Sequence, residues 1–134
     1  MKNIFISLFL LLLLSAPLLV KAEPAKTKTV ISSNTIESLM IGLNSSNLGL
    51  RTGSAFMIGE LDIKNAVVPL MKILRNDKCE EAKIVAALAL YKLGTPMSIN
   101  ALLQAARFED NNRVRKICSR FYFDYISKQK LTEL

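Results

Sequence analysis

No histidine occurs in the 134 residues, and no tryptophan. The missing histidine removes the usual general base, most zinc sites and the Ser-His and Cys-His nucleophile pairs. A glycine-rich phosphate loop, a Gly-x-Ser-x-Gly elbow and a metal-loop spacing of acids are also lacking. Carboxylates adjoin only at Glu80-Glu81 and Glu109-Asp110. Each pair stands where a helix is expected to open, and acids there answer the positive end of the helix dipole. Dipole complementarity is therefore preferred to acid–base chemistry. Cys79 has no base beside it to activate the thiol. No enzyme activity, cofactor or metal is expected.

Cysteine is scarce as well, with only Cys79 and Cys118. A disulfide is a natural reading in an exported chain. If the helices that carry them run side by side, however, the two are offset by roughly 10 Å along the axis, at about 1.5 Å per residue. A bridge needs Cα atoms within about 7 Å. Cys118 reads as a small buried hydrophobe, and Cys79 as an exposed thiol.

The longest apolar run is at the start. Lys2 precedes Ile4 to Leu14, which only Ser7 interrupts, and Ser15-Ala-Pro17 breaks the run before Val20-Lys-Ala22. Small residues at 20 and 22 fit a signal peptide, residues 1–22, cleaved after Ala22. The run is short for a membrane anchor, and no cysteine follows it to carry a lipid. The chain is thus expected outside the cytoplasm, periplasmic or secreted, meeting the membrane only during export. With Lys2 and Lys21 gone, the net charge falls from +7 to +5. A moderate positive charge favours an anionic partner such as an acidic protein. It is too diffuse to indicate nucleic acid, which export also disfavours.

What the remainder does contain is one helix written three times. Leu50 to Leu61, Ala82 to Leu93 and Val114 to Tyr125 each place a base after the opening apolar residue. Those bases, Arg51, Lys83 and Arg115, are spaced by 32 residues and again by 32. A fixed period of this size marks a stacked repeat protein. Residues 23–33 have no helical period and read as a tether. Asn34 and Glu37 suggest a capping box for a first helix over 35–43, with Leu39, Met40 and Leu43 inward. A second helix over 48–61 holds Gly53 and Gly59, which close packing would explain. Pro69 suits the start of a third, with Val67, Leu70, Met71, Ile73 and Leu74 at helical spacing. From Ile84 to Tyr91 every residue is apolar, so the fourth helix should be the centre of the molecule. Gly94, Thr95 and Pro96 stop it and open a fifth, through Leu102, Leu103 and Ala106. A sixth runs to about Ser127, with residues 129–134 a polar tail. Three hairpins result, over about 34–62, 63–94 and 95–128. The fold class is all-α: a short right-handed α-solenoid.

A Leu-rich helix, an acidic turn, an apolar–basic pair, an Ala-rich helix and a Gly-containing turn together resemble HEAT-like repeats, armadillo-type solenoid units. The short variant associated with phycobilisome lyases is the closer likeness. Residues 66–94 match best, 36–62 well, and 97–126 in the basic position, with aromatics for alanines. The resemblance implies a protein-binding scaffold, with a chromophore lyase or lyase chaperone as the alternative. A self-assembling envelope protein, with weak homo-oligomers through its two open ends, is a third reading.

Two sets of residues stand out. Arg51, Lys83 and Arg115 should stack as a ladder, holding neighbouring turns through Asp77 and Asp110; a basic stripe for an acidic partner is the alternative. Phe121, Tyr122, Phe123 and Tyr125 cannot all face inward, because successive helical residues point about 100° apart. Aromatics beside Lys116 and Arg120 have the composition of a binding hot spot, while core and end-capping roles compete for the same residues.

Overall fold

The computed structural model describes residues 30–132. The leader, its cleavage point and most of the tether lie outside the described residues. Helix α1 spans Ser33–Leu43, α2 Leu48–Glu60, α3 Val67–Asn76, α4 Glu80–Leu93, α5 Pro96–Phe108 and α6 Asn112–Thr132. A single 3₁₀ turn, Lys64–Ala66, leads into α3. The six helices pair as three hairpins, α1–α2, α3–α4 and α5–α6, stacked into a short α-solenoid. The second helices form the spine: α2 packs along α4, and α4 along α6.

Local chemistry sets the boundaries. Ser32, extended, caps α1 by accepting the Thr35 amide at 3.3 Å. The expected Asn34–Glu37 box does not form, and helix begins two residues earlier than expected. The reason is apolar: with Ser32 as cap, Ile31 just before it and Ile36 in the first turn both pack on the core. Asn47 caps α2 through the Leu50 amide at 3.0 Å. Gly94 closes α4 in the left-handed conformation, φ 56°. Thr95 then caps α5 through the Ser98 amide, with Pro96 at the first helical position. Asn111 accepts the Arg113 and Val114 amides and opens α6.

Alanine makes the stack close. Ala82, Ala86 and Ala89 of α4 are buried together with Leu90 and Leu93. Ile84, Val85 and Tyr91 are partly buried against the same core, so the centre of the molecule is where the apolar run placed it. The two glycines of α2 have different reasons. A Cβ on Gly59 would sit 2.9 Å from the Ala89 Cα, so glycine is what lets α2 and α4 touch. Nothing lies within 4 Å of a Cβ on Gly53, so the packing expected there is absent. Gly42 of α1, unremarked in the sequence, backs onto the Ser54 side chain in the way Gly59 backs onto Ala89.

The expected tail is also corrected. Helix continues through Thr132 because the chain beyond Ser127 still has bonds to make. Lys128 pairs with Asp124 at 2.7 Å and donates to the Tyr91 hydroxyl at 2.6 Å, and Gln129 donates to the Tyr125 hydroxyl at 3.0 Å.

Candidate functional site

The basic ladder is built in one register. Arg51 Nη1 donates to the carbonyls of Ser45 and Ser46 in its own turn, at 2.7 and 3.3 Å. Its outer edge meets the next hairpin. Nη2 bonds Asp77 Oδ1 at 3.3 Å, and Nε lies in ion contact 2.7 Å from Oδ2, out of line for a hydrogen bond. One repeat on, Lys83 Nζ bonds both carboxylate oxygens of Glu109, at 2.8 and 3.0 Å. Arg51 and Lys83 each reach an acid 26 residues ahead.

The acids work twice. Asp77 Oδ1 also accepts the Cys79 amide at 2.9 Å, and Glu109 Oε1 the Asn111 amide at 3.2 Å. Base and acid are both largely shielded from water, so a charge left alone there would be costly. Asp110, expected to accept from a neighbouring repeat's base, offers its carbonyl to Arg115 of its own hairpin instead, at 3.4 Å. Glu109 holds the ladder position because it, and not Asp110, falls on the 26-residue spacing from Lys83.

Grooves open between the first helices of neighbouring hairpins, each floored by a ladder pair. The groove over Arg51–Asp77 holds about 190 Å³, and that over Lys83–Glu109 about 350 Å³. Ala101 and Ala105 line the larger groove in the register positions that Pro69 and Ile73 fill in the smaller. Phe108 stands at its edge, 74% exposed.

A second set of seams, on α6, was missed. Glu80 accepts from Asn111 at 2.7 Å and from Arg113 at 2.5 Å, bonds that hold its carboxyl below the usual range. Sequence reasoning credited Glu80 to the helix dipole alone; the offset of Arg113 from the ladder register hid the pairing. Tyr91 stacks on Phe121 with centroids 5.0 Å apart and donates to Asp124. Tyr125 donates to the Gly94 carbonyl at 3.1 Å.

The aromatic set therefore divides. Phe121, Tyr122 and Tyr125 are partly buried against the core, and Phe123 is 65% exposed. Lys116 and Arg120 are exposed on the same helix, while Arg115 is half-buried. The thiols offer little to chemistry. Burial, with the nearby Glu109 charge, pushes Cys118 up to about 12. Cys79 is raised by donating to Glu81 at 3.2 Å, and it is half-buried where an exposed thiol was expected. Among the described residues no cluster of acids and cysteines could hold a metal ion.

A family of HEAT repeats matches residues 36–119. This chain is a HEAT-repeat protein. No curated protein matches it. HEAT repeats generally mediate protein–protein interaction. The match takes in all three ladder bases and ends before Arg120, so the aromatic part of α6 lies beyond the matched repeats.

Proposed function

We propose that this HEAT-repeat protein is an exported, non-catalytic scaffold that binds a protein partner through the exposed aromatic and basic surface of α6. The observation that supports it is Phe123. It is the one member of the aromatic set left largely in water, on a helix whose Phe121 and Tyr125 are tied to the hairpin before it. Arg120 and Lys116 are exposed on the same helix and suit a partner of opposite charge. Two thiols raised above their usual range and the absence of histidine support binding over catalysis. The leader, with small residues at 20 and 22, supports export.

The test is crosslinking in the exported fraction, with wild type beside Phe123→Ala and Lys116→Glu/Arg120→Glu, each checked by circular dichroism. These side chains are exposed, so the variants should fold, unlike changes at the paired Arg51. Loss of the same crosslinked protein from both folded variants is expected. Equal capture by all three sinks the surface, and a chain that stays in the cytoplasm with Met1 intact sinks export.

A further inference from the structure

The register that ties hairpin to hairpin is repeated on α6 of the third hairpin. Three bases sit at positions 51, 83 and 115. The first two each grip a carboxylate of the following hairpin. Arg115 is prepared in the same way as Arg51. Its Nη1 donates to the carbonyls of Glu109 and Asp110 at 2.6 and 3.4 Å, matching Arg51 on Ser45 and Ser46. Among the described residues, however, Arg115 meets no carboxylate; Nη2 donates only to the Asn112 amide oxygen, at 3.3 Å.

Two further observations make this more than one unpaired cation. The acid accompanies the base elsewhere in the repeat. Ser45, Asp77 and Glu109 occupy one position, each accepting the amide two residues on, at 3.1, 2.9 and 3.2 Å. Serine appears in the first hairpin, which has no described base before it, and acids appear where Arg51 and Lys83 need them. For Arg115 no described residue stands at that position. The spine contacts extend in the same register: Gly59 abuts Ala89, and Tyr91 stacks on Phe121, both 30 residues ahead. The next position, 32 after Tyr91, is Phe123, and it is exposed.

We propose that the outer face of α6, from Arg115 to Phe123, docks an acidic, helix-opening turn of a partner protein. Its carboxylate sits on Arg115 as Asp77 sits on Arg51, and Phe123 packs against the helix behind it. This rests on the scaffold reading and specifies the partner's chemistry. Charge complementarity selects the occupant. Between Arg115 and Phe123, register places Lys116, Ser119 and Arg120 where α4 has Ile84, Ala87 and Leu88. An apolar hairpin like the preceding ones is poorly matched to that stripe, and an acidic helix is well matched. A second copy of this chain is disfavoured by the same register, since it would bring Ser45 to Arg115 and no carboxylate.

The probe is a stapled helical peptide opening Asp-Lys-Ser-Glu-Glu, the turn chemistry of residues 77–81 with serine for cysteine, compared with its Asp→Asn form. Binding to the full chain is read by fluorescence anisotropy for wild type, Arg115→Gln and Phe123→Ala. Wild type should prefer the Asp peptide by about tenfold, as loss of a charge-assisted hydrogen bond implies. Arg115→Gln should bind both peptides equally, and Phe123→Ala should weaken both while keeping the preference. The inference fails if wild type does not distinguish the peptides or if Arg115→Gln still does. Should Arg115→Gln lose helicity, the wild-type preference and the Phe123→Ala loss decide alone. A wild-type mass that rises with concentration and falls back in Phe123→Ala would make the occupant a second copy and overturn the proposal. Peptide failure beside intact crosslinking sinks this inference and leaves the scaffold reading standing. Absence of any crosslinked protein sinks the scaffold itself.

Discussion

Two glycines on one helix show how a residue's effect is decided by its neighbours. Gly59→Ala and Gly53→Ala gain the same helix propensity, about 1 kcal/mol. At Gly59 the new methyl would press on the Ala89 backbone, which cannot yield without parting α2 from α4. Overpacking of this kind costs about 1–3 kcal/mol, so Gly59→Ala should destabilise on balance. Gly53 faces open space, and Gly53→Ala should stabilise by close to the full propensity gain. Urea titrations of the two variants should shift their midpoints in opposite directions. Asp77→Ala is expected to be worse than either. It leaves the Arg51 guanidinium without its carboxylate in a shielded site and also uncovers the Cys79 amide. A loss of roughly 2–3 kcal/mol is expected, below the fully buried range because both side chains retain some water contact. The cysteines give a chemical readout: native alkylation should label Cys79 first, and Cys118 only on unfolding.

Among the elements, the seam between α4 and α6 holds two carboxyls that respond to acid. Glu80 is held below the ordinary carboxylate range by Asn111 and Arg113, and Asp124 by Lys128 and Tyr91. A carboxyl whose folded value is lowered binds fewer protons folded than unfolded. Its stabilisation is therefore complete above the unfolded value and is lost as pH falls through the folded one. Acid should loosen α6 from α4, and Glu80→Gln should flatten that response in circular dichroism. Much of this architecture was legible in the sequence. The 32-residue spacing located all three second helices, and Gly94-Thr-Pro96 fixed one turn to the residue, because those residue types admit few conformations. The start of α1 and the end of α6 were misread because local capping signals compete with tertiary bonds that sequence does not display. Ile31 packing chose Ser32 over Asn34, and the Lys128 bonds to Asp124 and Tyr91 carried helix past Ser127. The ladder's second acid was assigned one residue late, since Glu109 and Asp110 are adjacent acids and only the spacing from Lys83 tells them apart.

For the whole molecule, the side-chain ties between hairpins described here link neighbours alone. The longest in sequence, Lys128 to Tyr91, spans 37 residues. Among the described residues no strand or side-chain bridge closes the first hairpin onto the third. Stability should then be a sum of hairpin terms and two interface terms, as in other stacked repeats. Hydrogen exchange should be slowest along α4, which is flanked on both sides, and fastest in α1 and the last turns of α6. The two interfaces are not alike in what they demand of temperature and salt. Ion contacts hold both, but aromatic stacking supports only the second. The Arg51–Asp77 seam is thus the place where the array should part first in concentrated salt, releasing a two-hairpin remnant with its aromatics still stacked. Concentrated salt and acid should therefore take the molecule apart from opposite sides, salt at the first hairpin and acid at the third.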